Sequence, residues 1–272
     1  MAGPDAELTA KLQPDVPHAA RIWNYWMGGK DNFAVDRASG DEILKAFPTA
    51  RIAALENRRF LQRATRYLAA EAGIRQFLDI GTGLPTADNT HEVAQGIAPE
   101  SRVVYVDNDP MVMVHARALL TSTPEGRTTY IEADLRSPEQ ILADPDLRAT
   151  LDLGEPVALM LVAVLHFIRD DEDPQGIVDR LVGALPPGSY VVATHATWEF
   201  QSAAAIEKLT AANPDGRFVP RTGERLAELL RGLDFVDPGL VSVSRWRADD
   251  APQPRPAIED VSCNGVVARL PA

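Results

Sequence analysis

The chain has 272 residues, 45% hydrophobic and 24% charged, proportions that exclude a disordered or fibrous protein. Its 27 basic residues are outnumbered by 39 acidic ones, and a net charge of −12 argues against a nucleic-acid or anionic-membrane surface. A single cysteine, Cys263, excludes an internal disulfide and a cysteine-based zinc or iron–sulfur site.

The first twenty residues carry Asp5, Glu7, Lys11 and Asp15 and no apolar core, so a cytoplasmic location is expected. The longest apolar run, residues 157–165, is about half of what a membrane span needs. Residues 16–72 read as helical without a convincing strand. Ile52, Leu55, Phe60, Leu61, Tyr67 and Leu68 form an apolar stripe among Arg58, Arg59, Arg63 and Arg66, which suggests a helix with a solvated basic face. Trp23, Trp26 and Met27 have helical spacing suited to packing, and Gly28-Gly29 ends that helix before the polar cluster Lys30, Asp31 and Asn32.

From residue 76 the period changes. Short apolar runs at 77–80, 103–106, 129–131, 157–165 and 190–194 alternate with helices that carry start signals. Asp109-Pro110 precedes a helix over 111–120, Ser137-Pro138 one from 138, Asp173-Pro174 one over 177–185, and Thr222 one over 223–232. Two further strands, 240–246 and 261–270, joined by a proline-rich loop, predict an antiparallel finish at the sheet edge. The fold class is α/β, doubly wound, with a mostly parallel sheet of the seven-stranded type. We expect a helical amino-terminal cap over 1–75 and a core over 76–272 with a helical excursion near 198–217.

The informative stretch is Phe77-Leu78-Asp79-Ile80-Gly81-Thr82-Gly83-Leu84-Pro85-Thr86. A strand enters a glycine pair and then a helix beginning near Thr86, a geometry that lets a ligand touch backbone N–H groups. A dinucleotide fingerprint wants a small residue where Thr86 stands. Asp79 lies where the strand should still be buried, and a ligand ammonium would supply the donors such a carboxylate needs. Asp107, at the end of the second strand and followed by Asn108, suits both ribose hydroxyls; Asp134, at the end of the third and followed by Leu135, suits an adenine amine. Three acids at successive strand ends describe a pocket for an adenosine without phosphates, attached to a cationic centre. S-adenosylmethionine (SAM) has these features.

From Asp79 to Thr197 the chain resembles class I SAM-dependent methyltransferases in its glycine loop, its second-strand acid, Ala133-Asp134 and the Leu185-Pro186-Pro187-Gly188 turn. Tyr25-Trp26-Met27-Gly28-Gly29-Lys30-Asp31-Asn32-Phe33, with the segments around His166 and His195, makes it similar to an actinobacterial S-adenosyl methyltransferase family with largely uncharacterised substrates. The loop departs from the three-glycine form common in class I enzymes. The resemblance implies a SAM-dependent methyltransferase that acts on a small-molecule acceptor. The amino-terminal segment is expected to fold over the cofactor with Tyr25 and Asn32 near it. His166 and His195, ending strands four and five, are candidate general bases, and Trp198 and Glu199 candidate acceptor-pocket residues. Two alternatives remain open: a methyltransferase-fold binding module without turnover, and an NAD(P)-dependent oxidoreductase. No metal site is expected, since His91-Glu92 is followed by Gln95 rather than a second histidine and the acids at 170–173 read as a capping loop.

Overall fold

In the computed structural model, which describes residues 12–119 and 121–271, a twisted eight-stranded sheet carries helices on both faces. The first eleven residues of the expected cap and residue 120, the expected end of one helix, lie outside the described residues. Three helices that lie wholly within the described residues precede the sheet: α1 (Ala19–Trp26), α2 (Ala34–Ala46) and α3 (Ala50–Ala70). Strands and helices then alternate as β1 (Gln76–Ile80), α4 (Thr90–Ile97), β2 (Arg102–Asp107), α5 (Pro110–Leu119), β3 (Arg127–Glu132), α6 (Pro138–Ala143), α7 (Pro145–Thr150), β4 (Ala158–Leu161), α8 (Pro174–Gly183) and β5 (Tyr190–Ala196). The chain ends with α9 (Ala203–Ala211), α10 (Gly223–Leu229), β6 (Asp234–Phe235), β7 (Val241–Ser242), α11 (Ile258–Val261) and β8 (Cys263–Arg269).

The strand order is β3-β2-β1-β4-β5-β8-β6, with β7 also paired to β8. β1 to β5 run parallel, whereas β8 pairs antiparallel with β5 over seven residues. Strand residues alternate between two cores. Leu78, Ile80, Val104 and Leu159 pack with helices α6, α7 and α8; Phe77, Val103, Ala158 and Met160 pack with Phe60, Leu61, Ala64 and Leu68 of α3. Three of the four caps read from the sequence form: Asp109 accepts from Met111 N (2.9 Å), Asp173 from Gly176 N (3.0 Å) and Thr222 from Arg225 N (3.1 Å), whereas the Ser137 side chain makes no capping bond at the start of α6.

Three local expectations change. The apolar run at 157–165 leaves the sheet at Leu161, because Ala163 adopts a left-handed conformation (φ 57°) and its N–H donates to Thr194 Oγ1 at 2.8 Å. The helix expected near Thr86 begins at Thr90, since Glu92 Oε2 accepts from the N–H of Asn89 (2.7 Å) and fixes the start there. The strand expected over 240–246 shrinks to Val241–Ser242. Beyond it the chain turns to bury Trp246 edge-on against Phe60 (5.5 Å), and Arg63 binds the carbonyls of Val243 (2.5 Å) and Trp246 (2.9 Å). β8, with the short β6 and β7 along its outer side, therefore lies inside the sheet.

Candidate functional site

Strand order reverses between β1 and β4, and ligands of doubly wound sheets sit outside the carboxyl ends of the strands at such a switch point. A cleft opens there, lined by Asp79, the loop Gly81–Leu84, Asp107, Asn108 and residues 162–164. Two backbone features shape it. Gly81 is left-handed (φ 76°), and a Cβ there would stand 2.5 Å from Cγ2 of Val164. Gly83 is also left-handed (φ 69°) but has open space on its Cβ side.

Asp107 holds this loop in place. Its carboxylate accepts from Gly83 N (2.8 Å) and Asp109 N (2.9 Å); burial raises its pKa while those two N–H groups pull it down. Asp79 is buried, accepts from Thr90 Oγ1 at 2.6 Å, and is pushed up to about 6 by desolvation. It is therefore an acid that a cation would stabilise in its ionised form.

The opposite wall comes from the amino-terminal helices: His18, Trp23 and Met27 at α1, and Ala54, Asn57, Arg58 and Leu61 on α3. Arg58 is not the solvated surface cation read from helix periodicity. Burial lowers its pKa, one Nη donates to Ala87 O (3.1 Å) and Asn89 Oδ1 (3.0 Å), and its Nε has no partner. Thr86 Oγ1 is likewise buried without a partner. Both residues line the cleft, which places two buried, unpartnered donors in its wall beside a buried acid. Asn57 Oδ1 accepts from Thr194 Oγ1 (2.7 Å), which in turn receives the Ala163 N–H, so α3 helps hold the left-handed turn. α1 is fastened by a buried ionic cluster. Arg21 lies 3.3 Å from Asp109 and 3.6 Å from Asp36, and His18 Nδ1 lies 3.0 Å from Asp109.

Other predicted residues sit elsewhere. Tyr25 donates to Asp41 (2.7 Å) and receives Arg51 (3.3 Å), and Asn32 Nδ2 donates to Asn24 Oδ1 (2.9 Å) and Gly29 O (3.0 Å). Both line a separate open groove, because the loop after α1 folds back onto Asn24; Trp23 and Met27 of the same segment face the cleft instead. Asp134 stands one side chain behind the cleft: it accepts from Asn108 Nδ2 (2.8 Å) and pairs with Arg136 (3.2 Å). Leu135 is a core residue, 4% exposed.

His195 is buried. Its Nδ1 meets Ala196 O (2.9 Å), its Nε2 meets an Arg221 Nη (3.2 Å), and burial brings its pKa to about 4. Arg221, which sequence reading missed, also binds Leu165 O (3.1 Å), Ile168 O (2.8 Å) and Asp170 (2.6 Å), and so secures the turn that carries His166. His166 is buried with neither ring nitrogen partnered. Trp198 lines a second, apolar cavity with His166. Glu199 does not; its Oε2 accepts from Thr197 (2.9 Å), Gly223 N (2.7 Å) and Asn264 (3.1 Å).

Fold and cleft together define a doubly wound α/β protein with a cleft at the switch point of its sheet, lined by two buried acids. The chain matches the sequence model of a family described as S-adenosyl methyltransferase over residues 5–271, and it belongs to that family. It is a SAM-dependent methyltransferase, with SAM as the methyl donor. Among solved structures it is similar to a DUF574 family protein from Streptomyces avermitilis MA-4680, with 44% identity and a TM-score of 0.88 over 96% of this chain and 100% of that one. It is also similar to a methyltransferase candidate from Thermobifida fusca YX, with 38% identity and a TM-score of 0.87 over 100% of both chains. An O-methyltransferase family protein from Burkholderia thailandensis shares the fold alone, at 14% identity and a TM-score of 0.54 over 98% of this chain and 68% of that one. No curated protein matches the chain.

Proposed function

We propose that SAM binds in the switch-point cleft and that its methyl group passes to a small-molecule acceptor held beside it. The observation that carries this reading is the pairing of Asp79 and Asp107, two buried carboxylates on adjacent strands, with the unpartnered donors of Arg58 and Thr86 around one cleft. In this reading Asp107 and Asn108 hold the ribose, and the Gly81–Gly83 backbone approaches the methionine portion. Asp79 receives its ammonium, while Arg58 and Thr86 receive its carboxylate. Asp134 acts through Asn108, and His195 positions Arg221. When bound, SAM supplies an electrophilic methyl on a sulfonium. The chain's part is to orient the two reactants and exclude water, tasks that suit a cleft walled by Trp23, Met27 and Leu61. Because α1 and α3 supply that wall, the described part of residues 1–75 serves as a cap on a core over 76–272. No helix among the described residues is long and apolar enough to cross a membrane, which suits a cytoplasmic place; the Streptomyces and Thermobifida relatives suit an actinobacterial source.

Calorimetry with SAM, S-adenosylhomocysteine and NAD tests the reading. Both adenosyl ligands should bind and NAD should not. Asp107→Ala should weaken S-adenosylhomocysteine by about 1.5–3 kcal/mol, roughly 10- to 150-fold, the value of hydrogen bonds to a charged group. A loss below about 0.5 kcal/mol would remove Asp107 from the site.

A further inference from the structure

Behind Trp23 and Phe167 the cleft adjoins a second cavity, and the two share Ala19, Trp23 and Phe167 as walls. Six aromatic rings line the second cavity: Trp23, Trp26, Phe47, Phe167, Trp198 and Phe218. No aspartate, glutamate, lysine or arginine among the described residues lines it. An ion placed there would lose its hydration without gaining a counter-charge, so the cavity selects a neutral occupant.

Its threonine, asparagine and serine side chains are already engaged. Thr197 Oγ1 donates to Glu199 (2.9 Å), Asn213 bonds both main-chain groups of Phe218 (2.7 and 3.2 Å), and Ser262 Oγ donates to Glu259 O (2.9 Å) while receiving Gln201 (2.6 Å). Cys263 Sγ lies 3.9 Å from Asn57 Oδ1 and 3.7 Å from Asn264 O. His166 differs from all of these. It is 1% exposed, held between Phe167 (ring centroids 4.5 Å apart) and Phe218 (4.9 Å), and both of its nitrogens lack partners. A neutral imidazole offers one N–H and one lone pair, and a hydroxyl group is the small neutral group that can use either. An aliphatic amine would enter as a cation and meet the same desolvation cost as any other ion.

We propose that the methyl acceptor is a neutral aromatic molecule bearing a phenolic hydroxyl, bound in this second cavity with that hydroxyl hydrogen-bonded to His166. The proposal rests on the methyltransferase reading and names its substrate class. Methylation forms a C–O bond, breaks the sulfonium C–S bond to leave a neutral thioether, and passes the hydroxyl proton to His166 and then to solvent. Burial and the neighbouring His195 and Arg221 keep His166 a weak base. A weak base suffices for a phenol, whose proton becomes strongly acidic as the C–O bond forms.

The test uses 2-naphthol and 2-naphthoate as probes of nearly equal size, titrated into full-length protein saturated with S-adenosylhomocysteine. 2-Naphthol should bind without displacing that ligand, and 2-naphthoate should bind at least tenfold more weakly. Ala53→Trp, which fills the cavity from α3, should weaken 2-naphthol at least tenfold and leave S-adenosylhomocysteine within twofold. His166→Phe should weaken 2-naphthol about tenfold and abolish its conversion to 2-methoxynaphthalene with SAM. Equal or tighter binding of 2-naphthoate overturns the proposal, as does competition between 2-naphthol and S-adenosylhomocysteine. Indifference to Ala53→Trp, or 2-naphthol bound but not methylated by the wild type, also overturns it. If S-adenosylhomocysteine fails to bind while 2-naphthol behaves as described in the unloaded protein, the cofactor reading fails and the apolar cavity stands.

Discussion

Asp79 shows how a single buried side chain couples the site to pH. Its carboxyl titrates near 6 because desolvation outweighs the Thr90 hydrogen bond and the field of Arg58. A ligand ammonium favours the ionised form, so binding below that value must first drive off a proton. The sign follows: S-adenosylhomocysteine affinity should rise by about tenfold from pH 5 to pH 7, and Asp79→Asn should flatten the profile. Calorimetry at the two pH values in both proteins measures this. A flat wild-type profile, or a rise retained in Asp79→Asn, would separate Asp79 from the ligand. The raised pKa also means that ionising Asp79 opposes folding, a contribution absent below its ordinary range and present above about 6.

At the scale of the element, the loop after β1 contains two glycines with different duties. Gly81 is needed by the fold, since its left-handed backbone is pressed against Val164; Gly83 faces open cleft. Gly81→Ala should therefore destabilise the protein by more than about 1 kcal/mol in urea unfolding, as strain and overpacking add. Gly83→Ala should cost about 1 kcal/mol of left-handed strain and show its larger effect on S-adenosylhomocysteine affinity. Equal stability losses, with ligand affinity unchanged in both, would contradict this division. Much of this was legible in the sequence, because turns and caps are written locally: Gly81, Gly83, Asp107, Asp109-Pro110 and Asp173-Pro174 announce themselves within a few residues. What those elements pack against is not local. Helical spacing placed Arg58 on a polar face, but only the tertiary arrangement turns that face toward Asp79. The same limit misdirected Tyr25 and Asn32, which share a segment with Trp23 and Met27 yet leave it in another direction. Arg221 and His195, 26 positions apart, carried no motif that joined them.

At the scale of the whole molecule, the sheet brings the ends of β1, β2 and β4 to one edge, and the amino-terminal helices fold across it. The buried contacts of Arg21 and His18 with Asp109 tie the start of α1 to the strand end that presents Asp107. The excess of acids therefore has a local counterpart: Asp79 and Asp107 both face the cleft, while Asp134 is partly neutralised by Arg136 behind it. The most direct test of the central claim is a crystal structure of the full chain with S-adenosylhomocysteine. The ligand should lie at the β1/β4 switch point, with its ribose on Asp107 and its amino-acid end between Asp79, Arg58 and the Gly81–Gly83 loop. Ligand bound at another edge of the sheet, or with its ribose away from Asp107, would contradict it.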